Sequence, residues 1–305
     1  MKKLIATSAL ANVLIVAVVW AFEVFVAKLA LLAGASVATF TIQTYIVTFM
    51  LLLLYVSPIV IKELKKMPKN TFWQLMIANG LHNGLGGFFS YIGILFTTAI
   101  NAGFLLQFTT VTTSTLAWIV LKEKMTKSKA ITIIAIMIGT FLLITKGRLD
   151  ILHIGDLILL FACLCWSSGN VLIRKTLKQT AVNPDIISFL RPIAGVPIQL
   201  VFVYLAPLYP LAARSVFIVH WLDFRFALFV LLHGLLVAVL WIFLNRTLKL
   251  ASASYMTMMT SLTPLLVAIL AMVFLHETLA PIQWLGVLII LSSSLVTQYL
   301  KIDRH

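Results

Sequence analysis

The chain has 305 residues, 62% hydrophobic and only 10% charged. A soluble domain carries roughly 25% charged residues, so this composition excludes a water-soluble globule and requires lipid against most of the surface. The net charge of +14 sits in short Lys/Arg clusters between apolar runs, with no basic helix interleaved with aromatics, which excludes a nucleic-acid partner.

A span needs about 20 mostly apolar residues to cross a hydrocarbon core of about 30 Å. The first predicted span covers 8–30. Lys2 and Lys3 before it and Ala33-Gly34-Ala35 after it imitate a signal peptide. The run, however, is about twice the length of a signal core and carries Glu23 and Lys28, which predicts a retained helix. Glu23 is costly in a membrane and is expected to face the protein interior. It shares a helical face with Asn12. As a functional group it would anchor a cation or carry a proton; as a structural one it would pair with a buried Arg, Lys or His.

Spans 38–61 and 72–95 follow. In the latter, Asn79, His82, Asn83, Gly86 and Ser90 form a polar stripe at helical spacing, and glycines 84, 86 and 87 permit close helix approach. Such a stripe predicts a cavity wall at His82. In span 100–121, Gln107, Thr110 and Ser114 share a face, either as cavity lining or as interhelical packing. Span 130–146 follows. Span 155–173 holds Cys163 and Cys165, which point in different directions on a helix and form neither a disulfide nor a metal pair. The same span holds Trp166 and Asn170.

In span 185–206, Ser188, Arg191, Gly195 and Gln199 lie roughly on one stripe. Arg191 is about two turns from a helix end, so it either snorkels to the headgroups or faces the cavity, where it would pair Glu23 or grip a substrate carboxylate. Span 225–247 contributes His233 and Trp241 as a lining pair. Span 251–275 aligns Ser254, Thr257 and Ser261, and 281–300 closes the series. Glu123 and Glu277 fall at helix ends, as expected of caps.

Ten spans with the N-terminus inside put 17 of the 23 basic residues in cytoplasmic regions. Lys146, Arg148, Arg214 and Arg225 stay in outer loops. Both termini are therefore expected in the cytoplasm.

Two stretches recur. Trp20-Ala21-Phe22-Glu23-Val24-Phe25-Val26-Ala27-Lys28 is similar to Trp166-Ser167-Ser168-Gly169-Asn170-Val171-Leu172-Ile173-Arg174-Lys175, and Ile119-Val120-Leu121-Lys122-Glu123-Lys124-Met125 to Val273-Phe274-Leu275-His276-Glu277-Thr278-Leu279. The expected organisation is a five-helix repeat over 1–146, a linker over 147–154 and a second repeat over 155–305. An odd number of spans per copy inverts the second relative to the first, the construction by which many carriers obtain two access states.

These paired stretches, with Ser261-Leu262-Thr263-Pro264 and His276-Glu277-Thr278-Leu279-Ala280-Pro281, make the whole chain resemble the EamA family of the drug/metabolite transporter superfamily. The resemblance implies an all-α integral membrane fold of ten helices around a central cavity. It also implies export or exchange of amino acids or similar metabolites. Two departures stand out. Thr110 stands where Pro264 aligns, which puts a break in the fourth span in doubt, and Glu23 adds an acid to the first-span motif.

The expected function is a secondary transporter of a small zwitterion or cation, working by alternating access in a bacterial-type cytoplasmic membrane. Its candidate binding or coupling residues are Glu23, Asn79, His82, Asn83, Gln107, Trp166, Asn170, Arg191, His233 and Trp241. Partners would be the small-molecule substrate, lipid and protons as coupling ion; no cofactor or metal is expected, and oligomeric state is left open. Import of choline-like or nucleoside-like metabolites is the alternative. Enzyme readings are weak: His276-Glu277 lacks the second His of a zinc-protease helix, and Trp166-Ser167-Ser168-Gly169 has Trp where an intramembrane serine motif carries Gly. No charged ring or filter loop suggests a channel.

Overall fold

The computed structural model describes residues 2–145, 153–205, 208, 216–219, 225–260 and 262–299. Residues 147–152 of the expected linker, together with Lys146, Arg148, Arg214, Ser261, Lys301 and Arg304, lie outside them. The described residues form helices and no strands. In chain order these are α1 (Lys2–Leu32), α2 (Val37–Val56), α3 (Val60–Lys66), α4 (Lys69–Asn79), a π-helical segment (Gly80–Gly87), α5 (Phe88–Leu95), α6 (Ala99–Leu105), α7 (Phe108–Leu121) and α8 (Lys127–Thr145). Then come α9 (Ile154–Gln179), α10 (Pro184–Tyr204), α11 (Ala227–Leu250), α12 (Ala253–Met259), α13 (Leu262–Phe274) and α14 (Pro281–Tyr299).

Seven of the described helical stretches are long and apolar enough to cross a membrane: Ala9–Leu32, Val37–Val56, Ala99–Leu121, Ile154–Gln179, Pro184–Tyr204, Ala227–Leu250 and Ala253–Phe274. Helix α8, α14 and the continuous run from α4 through α5 occupy the other three stretches that the sequence marks as spans. Large apolar side chains such as Leu54, Leu228 and Leu288 point outward, as a lipid-facing surface requires.

Helix starts follow from local chemistry. Ser36, Thr98 and Ser252 each accept a hydrogen bond from the backbone N–H three residues on, at the heads of α2, α6 and α12. Asn183 caps α10, with Pro184 in the first turn, where its missing N–H costs nothing.

Residues at fixed separations do the same work in the two halves of the chain. Lys28 of α1 donates to the carbonyls of Ile94 and Thr97 at the end of α5, and Arg174, 146 residues later, donates to those of Leu248 and Lys249 at the end of α11. Lys122 and His276, 154 residues apart, are the two described non-glycine residues in the left-handed region, at φ 55° and 53°. Each lets the following Glu return its N–H to the helix, to Ala117 and Ala271. Glu277 then accepts from the N–H groups of Ala99 and Ile100 at the head of α6, while Glu123 accepts from Ser254 Oγ at the head of α12 and pairs with Lys129. Glu277 is therefore a cap at the positive end of α6, whereas Glu123 reaches the head of α12 only through the Ser254 hydroxyl.

Packing follows the same exchange. Helix α1 lies along α11 and α9 along the α4-to-α5 run, while α8 packs on α14 and α2 on α10. Gly80 sits against Ile198 of α10, and Gly234 against Val47 of α2.

One doubt from the sequence is removed. Helices α6 and α7 are separated at Leu106-Gln107 even though Thr110 replaces the proline. There the amides of Gln107, Thr109 and Thr110 bond three residues back rather than four, and Thr109 Oγ1 donates to the Leu106 carbonyl. A tightened turn with a side-chain hydroxyl makes this separation without a proline.

Candidate functional site

The π-helical segment re-aims the middle of the third predicted span. It inserts an extra residue per turn and leaves the Asn83 carbonyl to side-chain donors: Tyr45 Oη at 3.3 Å and Gln199 Nε2 at 3.2 Å. Gly86 and Gly87 in this segment have no room for a side chain, since a Cβ would meet Trp166 Cδ1 at 2.6 Å and Tyr45 Oη at 2.2 Å. The expected polar stripe is wholly buried but splits. His82 and Asn83 face an internal cavity, whereas Asn79 and Ser90 do not.

That cavity is narrow, about 40 Å³, well below the roughly 300–1,000 Å³ of an open small-molecule site, so its walls must part to admit a metabolite. Its walls come from both halves of the chain. On one side Glu23 of α1, 6% exposed, accepts hydrogen bonds at Oε1 from Tyr91 Oη of α5 at 2.7 Å and lies 3.0 Å from His233 Nε2 of α11. His233 is fully enclosed and backed by Phe40, with ring centroids 4.8 Å apart. Opposite, Trp20 and Trp166 meet edge-to-face at 5.8 Å, and His82 lies 6.1 Å from Trp166. Tyr45 and Trp241 make a second edge-to-face pair at 5.2 Å. Asn83, Asn170, Thr109 and Thr257 complete the polar lining, and Val237, Leu240, Leu244 and Met256 the apolar one. One carboxylate set among aromatic faces suits a cationic group, which both the charge and the ring quadrupoles attract.

The model of the EamA-like transporter family matches residues 7–145 and again residues 153–299. The chain belongs to the EamA-like transporter family. It is a multi-pass membrane protein of a transporter family. A curated relative, the uncharacterized transporter YyaM of Bacillus subtilis (strain 168), is 31% identical over 94 residues, which cover 29% of this chain and 31% of that one. The chain thus matches less than a third of that relative's length. A solved crystal structure superposes with a TM-score of 0.67 at 13% identity, covering 96% of this chain and 97% of the other. At that identity it shows the fold alone.

Within this EamA-like fold the predicted residues separate. Glu23, His82, Asn83, Trp166, Asn170 and Trp241 line the cavity, and His233 stands directly behind Glu23. Arg191, Asn79 and Gln107 do not line it. Arg191 does not snorkel, because it is 0% exposed. Nor does it pair with Glu23, whose partner is His233; its Nη2 donates to Asn245 instead. Gln107 and Thr110 donate to the carbonyls of Thr260 and Thr257, tying the two broken rods together rather than facing the cavity. Ser254 is taken up by Glu123. Tyr45 and Tyr91, which the sequence reading passed over, are cavity residues of the first order. Their signal is a phenol deep in an apolar span, which needs a buried partner for its hydroxyl.

Proposed function

We propose that the chain is a secondary carrier of ten spans, built as two inverted five-helix repeats over 1–146 and 155–305. It moves a small metabolite, an amino acid or related zwitterion or cation, by alternating access, as an exporter or exchanger in a bacterial-type cytoplasmic membrane with both termini inside. The reciprocal packing of α1 on α11 and of α9 on the α4-to-α5 run supports the two-fold relation. So do the equivalent helix-end contacts of Lys28 and Arg174, and of Glu123 and Glu277.

The observation that carries the reading is the Glu23 carboxylate, buried in a cavity wall between the halves and shared by Tyr91 and His233. A carboxylate with two donors and an open side toward a cavity binds a cation or a proton in turn. Tyr91 of α5, His233 of α11 and Tyr45 of α2 are the titratable groups around it. His82 instead engages Asn83 Oδ1 at 3.0 Å and Trp166, so the coupling role passes from His82 to His233. The test is uptake of labelled amino acids, polyamines and quaternary amines into liposomes holding the purified protein. A carrier saturates and is stimulated by the same substrate on the far side; flux that never saturates with any of them removes the proposal.

A further inference from the structure

Arg191 is the largest fully buried side chain of the described residues, at 0% exposure. Its Nη2 donates to Asn245 Oδ1 at 2.7 Å. Asn245 in turn donates to Ser188 Oγ at 2.8 Å, and Ser188 to the Trp241 carbonyl at 3.0 Å. Arg191 Nε and Nη1 have no hydrogen-bond partner among the described residues. Among the described residues no carboxylate forms an ion pair with it: Glu23 lies on His233, Glu123 on Lys129 and Asp185 on Arg246. A guanidinium stays charged at neutral pH, and a buried charge with one neutral partner is among the least favourable arrangements a protein holds. A purely structural link between α10 and α11 would be better served by a neutral amide.

The charge is separated from the cavity by one aromatic layer. The guanidinium carbon lies 5.7 Å from the Trp241 ring centroid, and Trp241 with Tyr45 forms part of the cavity wall. Tyr45 is packed against Trp241 and the α10 backbone, and its hydroxyl is the part held least firmly. Its bond to the Asn83 carbonyl is long at 3.3 Å, and Gln199 satisfies the same oxygen, so Tyr45 can leave without orphaning it. Gly195, one turn beyond Arg191, lets the Tyr45 ring rest on the α10 backbone.

We infer that Arg191 is a carboxylate-receiving subsite, reached from the cavity when Tyr45 and Trp241 part, and that it takes the acidic end of the transported molecule. Its unpartnered Nε and Nη1 lie on different edges of the guanidinium, so each can donate singly to a carboxylate oxygen, and a two-bond grip forms on either edge only when Nη2 turns from Asn245. The inference rests on the carrier reading and sharpens it: of the zwitterions and cations proposed, it keeps those with a carboxylate, which Arg191 receives while the amino group faces Glu23.

The test is thermal unfolding of the purified full chain, as wild type, Arg191→Gln and Arg191→Lys. The probes are free α-amino acids, short monocarboxylates and the methyl esters of the same amino acids. Wild type should be stabilised by carboxylate-bearing probes and not by the matched esters. Arg191→Gln, without ligand, should unfold at or above the wild-type temperature, because a poorly paired charge has gone. It should also lose at least tenfold in apparent affinity for the carboxylate probes. Arg191→Lys, a point charge without the fork, should fall between. The inference is overturned if no probe carboxylate stabilises wild type, or if Arg191→Gln and Arg191→Lys are both destabilised while the ester discrimination persists. A response to chloride over methanesulfonate at equal ionic strength, lost in Arg191→Gln and unmatched by any carboxylate, would assign the site to a free anion and overturn it equally. Non-saturating flux in liposomes with the carboxylate response intact would remove the carrier reading and leave the anion site standing.

Discussion

Replacing Glu23 by Gln removes one charge and little volume from the cavity wall. The amide oxygen still accepts from Tyr91, so the 2.7 Å contact survives in neutral form, and helix packing is expected to persist. What goes is the charged acceptor facing the cavity. A hydrogen bond to a charged group contributes about 1.5–3 kcal/mol against about 0.5–1.5 kcal/mol for a neutral one. A bound cation therefore loses roughly 1–2 kcal/mol, about a 5- to 30-fold rise in KM at 1.4 kcal/mol per tenfold. If Glu23 also carries the exchanging proton, the pH dependence of transport flattens in the same variant. Glu23→Ala is the contrasting case. It strips the acceptor from Tyr91 and from the fully enclosed His233, at about 1–3 kcal/mol for each group left unsatisfied, and should reduce thermal stability as well. The assay is initial-rate uptake into proteoliposomes across substrate concentration and pH, with unfolding temperature measured on the same preparations. Glu23→Gln protein that inserts, unfolds like wild type and keeps both KM and pH profile would refute the assignment of the carboxylate to substrate or proton.

Lys28→Met and Arg174→Met each delete a cation that closes a helix end through two carbonyls; each should cost about 2–4 kcal/mol, and unequal losses in unfolding experiments would argue against equivalent roles. Gly87→Ala places a Cβ 2.2 Å from Tyr45 Oη, so Tyr45 must shift; the expected cost is about 1–3 kcal/mol, seen as a lower unfolding temperature that Tyr45→Phe relieves. Arg246→Ala opens the cluster in which Arg246 forks onto Asp185 at 2.9 and 2.8 Å and donates to Tyr55. Because Arg246 is a third exposed, stability should change by less than about 1 kcal/mol. The cluster binds α2, α10 and α11 at one membrane face, so labelling of a Val237→Cys probe from that face should accelerate; an unchanged rate would show that the cluster does not hold the cavity closed.

Much of this architecture was legible because lipid leaves a protein few options. Apolar runs of span length and the cost of an internal carboxylate singled out the helices and Glu23 without any tertiary information. That Glu123 and Glu277 fix helix ends was equally plain, but each reaches the head of a helix in the other half of the chain, α12 and α6, which position along its own helix does not name. Partner choice was not. Whether Arg191 meets lipid, Glu23 or Asn245 depends on how α10 is rotated against α11, and no helical wheel fixes that. The π-helical segment was also hidden: its glycines announced close approach but not the extra residue that separates His82 and Asn83 from Asn79 and Ser90. Tyr45 and Tyr91 were missed because Tyr in a span is as common at the membrane interface as in a core.

The two copies agree where they build and differ where they bind. Lys28 and Arg174, Lys122 and His276, and Gly80 and Gly234 keep one role each across the chain. Glu23 has Gly169 as its counterpart, 146 residues on. At Gly169 a Cβ would lie 2.6 Å from both the Ala78 carbonyl and His82 Cβ, so α9 is pressed against the α4-to-α5 run with no side chain between them. Across the matching contact of α1 with α11, a carboxylate and an imidazole fill that space, and the carboxylate reaches the cavity. The same helix pairing thus yields a tight backbone contact on one side and a charged pocket wall on the other. It follows that Gly169→Ala should damage packing and Glu23→Gly should damage transport, and an exchange of those outcomes would remove the division of labour between the copies.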